Sequence, residues 1–164
     1  IICKYHKDQR KDLPTAFKAF DIVKEKIPQL HVTLFGVFEK PELPSWYDYY
    51  QRPNKKLFNE LYNNAAIYVG SSQVEGWGLT VGEAMQCGCA VACTDNKGYL
   101  EMAKDGVTSL VSPVKDPQAL ADNIIKLIED NQLRYKIAQC GYNYIQRLNI
   151  FNSYKLLKRT LNPK

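Results

Sequence analysis

The chain has 164 residues, of which 45% are apolar and 24% are charged, a balance that is ordinary for one globular domain and excludes an intrinsically disordered protein. No segment has the pattern of a signal peptide or an apolar run of membrane-spanning length, and no long basic run with interleaved aromatic residues indicates nucleic-acid binding. The net charge of +5 fits a phosphorylated ligand, an anionic membrane surface that the protein would contact peripherally, or solvated lysines alone.

The five cysteines form no recognisable disulfide framework, because their number is odd and their spacing irregular. This pattern predicts free thiols in a reducing compartment, and therefore a cytoplasmic protein. Cys87, Cys89 and Cys93 lie close together in the sequence, but only His6 and His31 could complete a metal site with them. Buried free thiols are the preferred interpretation, and no metal is expected.

In the first half of the chain, short apolar runs alternate with helical patterns. The apolar run Ile1–Cys3 predicts a first strand that the chain enters directly, as in a piece of a longer protein. Apolar residues at i, i+3, i+4 and i+7 predict a helix over Leu13–Lys26, with Asp12 as N-cap and Pro28 as its stop. Further strands are predicted at residues 30–36, 46–50 and 65–70, and a helix that opens at Pro53.

The stretch VGSSQVEGWGLTVGEAMQCGCAVACT, residues 69–94, joins two apolar strands through a turn and a helix. Gly76 and Gly78 flank Trp77 in the turn, where the missing Cβ permits unusual backbone angles and lets a ligand approach the main chain. The helix, predicted over Leu79–Gln86, leaves its first N–H groups unpaired and directed at the turn. Such a helix start suits a phosphate.

Glu75 and Glu83, eight positions apart, flank this helix start. Glu83 lies one turn after Leu79, and helical side chains lean toward the N-terminus, so its carboxylate is expected to reach the open end and accept hydrogen bonds from a ribose diol. Glu75 would face the same cavity from the loop. A structural interpretation stays open on spacing alone, with Glu83 complementing the helix dipole and Trp77 filling the core.

After this stretch the sequence predicts one further strand among helices. Asp116 and Pro117 are typical of an N-cap and a first helical turn. The predicted elements are a short helix at residues 98–104, a strand at 108–111, and helices at 116–130, 132–147 and 151–161. Strands that alternate with helices predict a parallel sheet covered on both faces, a Rossmann-like doubly wound α/β fold in one domain of residues 1–164.

The segment SQVEGWGLTVGEAMQCGCAVACTDNKGYLE, residues 72–101, resembles the donor-site signature of the group 1 (family 4) retaining glycosyltransferases. That signature is roughly S-x-x-E-G-x-G-L-x-x-x-E-A-M-x-C-G-x-x-V-x-x-T, followed by a Gly and a Glu. The similarity continues through DGVTSLVSPVKDPQALADNI, residues 105–124, and covers most of the chain. It implies the C-terminal, donor-binding half of an enzyme of the GT-B architecture.

The resemblance also implies an activity, the retaining transfer of a hexosyl-type sugar from a nucleotide diphosphate sugar without a required metal or cofactor. The pathway would be polysaccharide, lipopolysaccharide or glycoconjugate biosynthesis, in the cytoplasm or at the inner face of the membrane. An N-terminal acceptor domain outside these 164 residues would be the partner, so this chain alone is expected to be inactive. The alternatives are a non-catalytic nucleotide- or partner-binding module and a sugar-nucleotide epimerase-like domain, and the presence of both glutamates disfavours the module.

By the same resemblance, Glu75 is the catalytic residue beside the transferred sugar and Glu83 holds the ribose. Amide groups of the turn and a lysine would meet the sugar hydroxyls and the diphosphate. The implied donor-binding residues are Gly76, Trp77, Gly78, Leu79, Thr80 and Lys11, and the implied base-binding residues are Tyr50, Gln51 and Arg52.

Several positions depart from the family pattern, among them Ser71, Cys89 and Phe38. The phosphate-binding arginine of the family has no clear counterpart, since Tyr5 and His6 occupy its spacing; the candidates to replace it are Lys4, Lys7 and Arg10. Asp12 stands where the family has glycine after the lysine. Gly82 stands inside the predicted helix, where glycine costs about 1 kcal/mol relative to alanine, so close packing is expected there.

Overall fold

The computed structural model describes residues 1–161 and is built on six strands that run parallel to their neighbours. The strands are β1 (Ile2–Lys4), β2 (Val32–Gly36), β3 (Tyr47–Gln51), β4 (Ile67–Gly70), β5 (Ala90–Thr94) and β6 (Leu110–Ser112). Their order in the sheet is β3-β2-β1-β4-β5-β6, the order of a doubly wound Rossmann-like sheet. The predicted fold class is confirmed.

Helices cover both faces of this sheet. They are α1 (Leu13–Lys26), α2 (Lys55–Asn63), α3 (Leu79–Gln86), α4 (Pro117–Glu129), α5 (Asn131–Ile145) and α6 (Ile150–Leu161). One buried cluster holds residues of α1 and α4, and the other holds residues of α2 and α3, while α5 contributes Ile137 to the first and Ile145 to the second. Successive residues along each strand belong alternately to the two clusters, because a parallel sheet is buried on both faces.

The helix bounds predicted for α1 and α3 are confirmed, but other boundaries differ. The second helix begins after Asn54, not at Pro53, because the Asn54 side chain accepts a hydrogen bond from the Leu57 N–H at 2.9 Å. Asp12 precedes α1 with a left-handed φ of 48° and makes no side-chain cap; instead its carboxylate accepts a bond from the Thr15 hydroxyl. The helix expected at residues 98–104 is only a 3-10 turn, Tyr99–Glu101.

The order of the strands places a crevice beyond the carboxyl ends of the two central strands, β1 and β4. From β1 the chain moves outward to β2 and β3, whereas β4 continues to β5 and β6 on the other side. The loops that follow β1 and β4 therefore leave the same edge of the sheet in opposite directions. Ligands of doubly wound proteins bind at such a switch point, beyond the carboxyl ends of the strands.

Candidate active site

A cleft of about 360 Å³ lies at this switch point. Its walls are the ends of β1 and β4, the loops that follow them, and the turn that leads into α3. Of the seven predicted donor-binding residues, all but Glu83 line it, together with Glu75: Lys11, Gly76, Trp77, Gly78, Leu79 and Thr80. The structure thus brings into one cavity residues that are up to 69 positions apart in the sequence.

The turn before α3 presents unpaired backbone amides. Gly78 adopts a φ of 88°, and a Cβ there would overlap the ring of Tyr99, so both conformation and space require glycine. The Gly78 carbonyl accepts the first helical bonds, from Val81 and Gly82. Within residues 1–161, the N–H groups of residues 77–80 donate to no protein acceptor, which leaves them available to an anion at the helix start.

Lys11 and Glu75 form an ion pair inside the cleft. The Nζ atom of Lys11 lies 2.6 Å from Oε1 of Glu75, and the two side chains are 26% and 15% exposed. The same oxygen accepts a hydrogen bond from the Ser72 hydroxyl at 2.8 Å. The loops after β1 and β4 are joined further by bonds from Ser71 Oγ to the Lys11 carbonyl and from Gln73 N to the Arg10 carbonyl.

Two more nitrogen-bearing side chains line the cleft, Lys4 and His6. The Asp8 N–H donates to Nδ1 of His6 at 3.0 Å, so a neutral ring carries its proton on Nε2. Burial, with Lys4 and Lys11 nearby, lowers the pKa of His6. Of the other candidates for the missing arginine, Arg10 pairs with Asp8 at 2.6 Å and is 71% exposed, and Lys7 lies 5.7 Å from the centre of the Phe38 ring.

Glu83 lines an adjoining cavity of about 280 Å³ rather than the main cleft. Lys4, Leu79 and Thr80 border both cavities, so the two adjoin at the start of α3 and are together called the hollow. Burial raises the pKa of Glu83, against the opposing effects of the Tyr62 hydroxyl, 3.4 Å away, and of Lys4. The two glutamates thus lie on either side of the helix start, in neighbouring compartments.

The three residues predicted to bind the base lie in different surroundings. Arg52 borders the Glu83 cavity, with a φ of 47° and its Nε donating to the Val37 carbonyl at 3.2 Å. Tyr50 packs against the second core cluster, and Gln51 is exposed at the end of β3. Only Arg52 of the three borders the hollow.

The profile of the family described as "Glycosyl transferases group 1" matches residues 1–144. The chain belongs to this family. Among curated group 1 relatives, the capsular polysaccharide biosynthesis glycosyltransferase CapM of Staphylococcus aureus is 27% identical over 152 residues, covering 87% of this chain and 40% of CapM. An N-acetylgalactosaminyltransferase of Campylobacter jejuni that acts on a diphospho-undecaprenol acceptor is 34% identical over 80 residues, covering 49% of this chain and 21% of that protein.

Solved structures place the fold among C-terminal GT-B domains. The C-terminal domain of the group 1 protein LpcC from Francisella tularensis superposes with a TM-score of 0.78 and 25% identity, covering 88% of this chain and 83% of that one. HepE of Anabaena, solved with UDP-glucose, gives a TM-score of 0.81 at 19% identity and covers 98% of this chain but 48% of HepE. This group 1 chain therefore spans about half of HepE and two fifths or less of the two curated relatives.

Sequence reasoning missed two residues, Tyr68 and Tyr99, that packing brings to the hollow. The buried Tyr68 hydroxyl bonds the Thr80 hydroxyl at 2.7 Å, directly at the start of α3. Tyr99 lines the cleft beneath the turn. Tyrosines in apolar strands are read as core, and nothing in the sequence pattern shows which hydroxyls end at a site.

Two features are absent from the described part of the chain, a cluster of metal ligands and a membrane-spanning helix. Nowhere in residues 1–161 do three His, Cys, Asp or Glu side chains gather as a metal site. Among the same residues, no helix combines the length and hydropathy needed to cross a bilayer.

Proposed function

We propose that this domain binds a nucleotide diphosphate sugar in the hollow around α3 and supplies the donor half of a retaining glycosyltransferase. The observation that carries the proposal is the cluster of four free amides at residues 77–80 beside Lys11 and Glu75, in a cleft at the switch point. HepE, which shares the fold, was solved with UDP-glucose.

The diphosphate would lie against the amides of the turn. In this position the partial positive charge of the helix start and the ammonium group of Lys11 would stabilise the negative charge that develops on the leaving group as the glycosidic bond breaks. Lys4 and the Nε2 proton of His6 line the same wall and would take the place of the family's arginine. Charge neutralisation by these groups is the basis for proposing that no metal is required.

The sugar and the nucleoside would extend to opposite sides of the diphosphate. Glu75, in the main cleft, would accept hydrogen bonds from the sugar and favour its oxocarbenium-like state. Glu83 would accept hydrogen bonds from the ribose, with the base lying toward Arg52 at the far end of the second cavity. This order, sugar to base, follows the order of the two compartments.

We further propose that a second domain of the same protein completes the site and that α6 contacts it. Ile150, Tyr154, Leu157 and Leu161 form a stripe with 4-3-4 spacing and are between 55% and 80% exposed. Such a stripe fits an apolar groove of a protein partner. CapM and HepE, both of which match this domain, are more than twice its length, which leaves room for such a domain.

The proposed setting is glycan biosynthesis in the cytoplasm. The five cysteines are all unpaired thiols, which supports a reducing compartment. CapM is named for capsular polysaccharide, and the Campylobacter relative for a lipid-linked acceptor, which supports an acceptor at the inner face of a membrane.

A ligand panel on this chain tests the proposal. UDP, GDP and TDP, together with UDP-glucose, UDP-N-acetylglucosamine and GDP-mannose, are titrated while backbone amide resonances are followed by NMR. We expect one nucleoside diphosphate to bind and to shift the amides of residues 77–80 most strongly.

Glu83→Ala should weaken that binding about 10- to 100-fold, as expected for the loss of hydrogen bonds to a charged group. Glu60→Ala, at an exposed position of α2, is the matched control and should leave it unchanged. Absence of binding by every member of the panel would refute the proposal. Sugar transfer by this chain alone would refute the requirement for a second domain.

A further inference from the structure

The two fixed hydrogen bonds to Glu75 both end on one carboxylate oxygen. Oε1 accepts from Lys11 Nζ at 2.6 Å and from Ser72 Oγ at 2.8 Å. Among the described residues, no group donates to Oε2. One oxygen is therefore anchored by the protein, and the other keeps its lone pairs for a ligand in the cleft.

Ser72 is itself held at both its backbone and its side chain. Its carbonyl accepts a bond from Thr94 Oγ1 at 2.6 Å and another from Asn96 Nδ2 at 3.0 Å, and the residue is only 4% exposed. Asn96 also accepts from the Tyr99 N–H at 3.0 Å, so the same amide joins Ser72 to the 3-10 turn. The backbone that carries the Ser72 hydroxyl is thus held in place.

Tyr99 lines the cleft together with Ser72. It is 1% exposed, and its ring packs against Gly70 and beneath Gly78. The ring therefore supports the turn, and the hydrogen bond to Glu75 comes from Ser72.

We propose that Ser72 is a positioning residue that fixes the Glu75 carboxylate, so that Oε2 is presented to the sugar of the donor. The proposal rests on the proposed function, because it assigns the sugar to Glu75. Lys11 alone could not fix the carboxylate, since its long side chain is flexible and is itself expected to bind the diphosphate. The short, buried serine has no such second task.

The test compares two ligands that differ only in the sugar. The nucleotide sugar that binds the wild-type chain most tightly in the panel above, and its nucleoside diphosphate, are titrated into the wild type and Ser72→Ala. The variant removes a hydroxyl and keeps the remaining bulk. Ser112→Ala, at a buried position away from the cleft, is the matched control.

We expect Ser72→Ala to lower the affinity for the nucleotide sugar about 3- to 10-fold, the effect of one hydrogen bond, and to change that for the nucleoside diphosphate less than about 2-fold. If Ser72 only supported the local structure, its substitution would weaken binding of both ligands equally. That result, or no change in the affinity for either ligand, would overturn the inference. If the wild type binds no ligand, the proposed function fails first, which separates the two conclusions.

Discussion

Lys11 and Glu75 neutralise each other in the cleft, with 2.6 Å between Nζ and Oε1. The cation proposed for the diphosphate is therefore paired with the acid proposed for the sugar. A diphosphate that approaches Lys11 competes with Glu75 for it. A donor sugar, in turn, offers hydroxyl groups to the carboxylate that Lys11 partly releases.

Separate substitutions of the pair should change nucleotide binding in opposite directions. Lys11→Met should weaken binding of the nucleoside diphosphate about 10- to 100-fold, because a charged donor is lost. Glu75→Gln should bind the same ligand at least as tightly as the wild type, because it removes a nearby negative charge, while it binds the nucleotide sugar less tightly. Calorimetric titration measures both, and weaker binding of the diphosphate by Glu75→Gln would contradict the competition.

Ionised Glu83 should lower the free energy of unfolding of the unliganded domain. Burial raises the pKa of Glu83 in the folded chain. As the pH rises above about 4.5, the unfolded chain therefore loses this proton before the folded chain does, and the free energy of unfolding falls. Glu83→Gln should therefore melt at a higher temperature than the wild type at pH 7, and at nearly the same temperature at pH 4. Thermal melts at both pH values measure this, with Glu60→Gln as the exposed control; an equal difference at both values would be evidence against burial as the cause.

Two glycines near the turn should respond differently to alanine. A Cβ on Gly98 would overlap the backbone carbonyl of Glu75, although the φ of −65° suits any residue. Gly98→Ala should therefore destabilise the domain by about 1–3 kcal/mol, as overpacking does. Gly82→Ala should be neutral or stabilising by up to about 1 kcal/mol, since its Cβ would meet Trp77 and Ile145 at 3.4 Å. Urea unfolding measures both, and a large loss for Gly82→Ala would contradict the expected fit.

His6 should donate its Nε2 proton to the diphosphate. His6→Phe keeps a ring beside Phe38 but removes the donor, and should weaken nucleoside diphosphate binding about 3- to 10-fold. His6→Gln, which keeps an N–H near the position of Nε2, should lose less. In the wild type, the pKa of His6 measured by NMR should rise when the ligand binds, because an anion favours the imidazolium; a pKa that does not move would place the diphosphate elsewhere.

The close packing expected at Gly82 amounts to ordinary van der Waals contact, since a Cβ there would meet Trp77 and Ile145 at 3.4 Å. The Trp77 indole lies over that glycine, within 3.4 Å of where a Cβ would stand. The ring thus lies against α3 while the cleft beside it keeps a volume of about 360 Å³. Neither the indole nor the helix fills the space that a ligand needs.

Local periodicity and backbone chemistry were enough to predict the alternation of strands and helices, the bounds of α1 and α3, and the turn with its free amides. They could not show that Lys11 reaches Glu75 across 64 positions, that Glu83 faces a second compartment, or that the Ser72 hydroxyl donates to Glu75. Those relationships depend on the order of the strands, since β1 and β4 become neighbours only when the sheet assembles. Tertiary packing alone brings their loops to one edge and decides which side chains meet there.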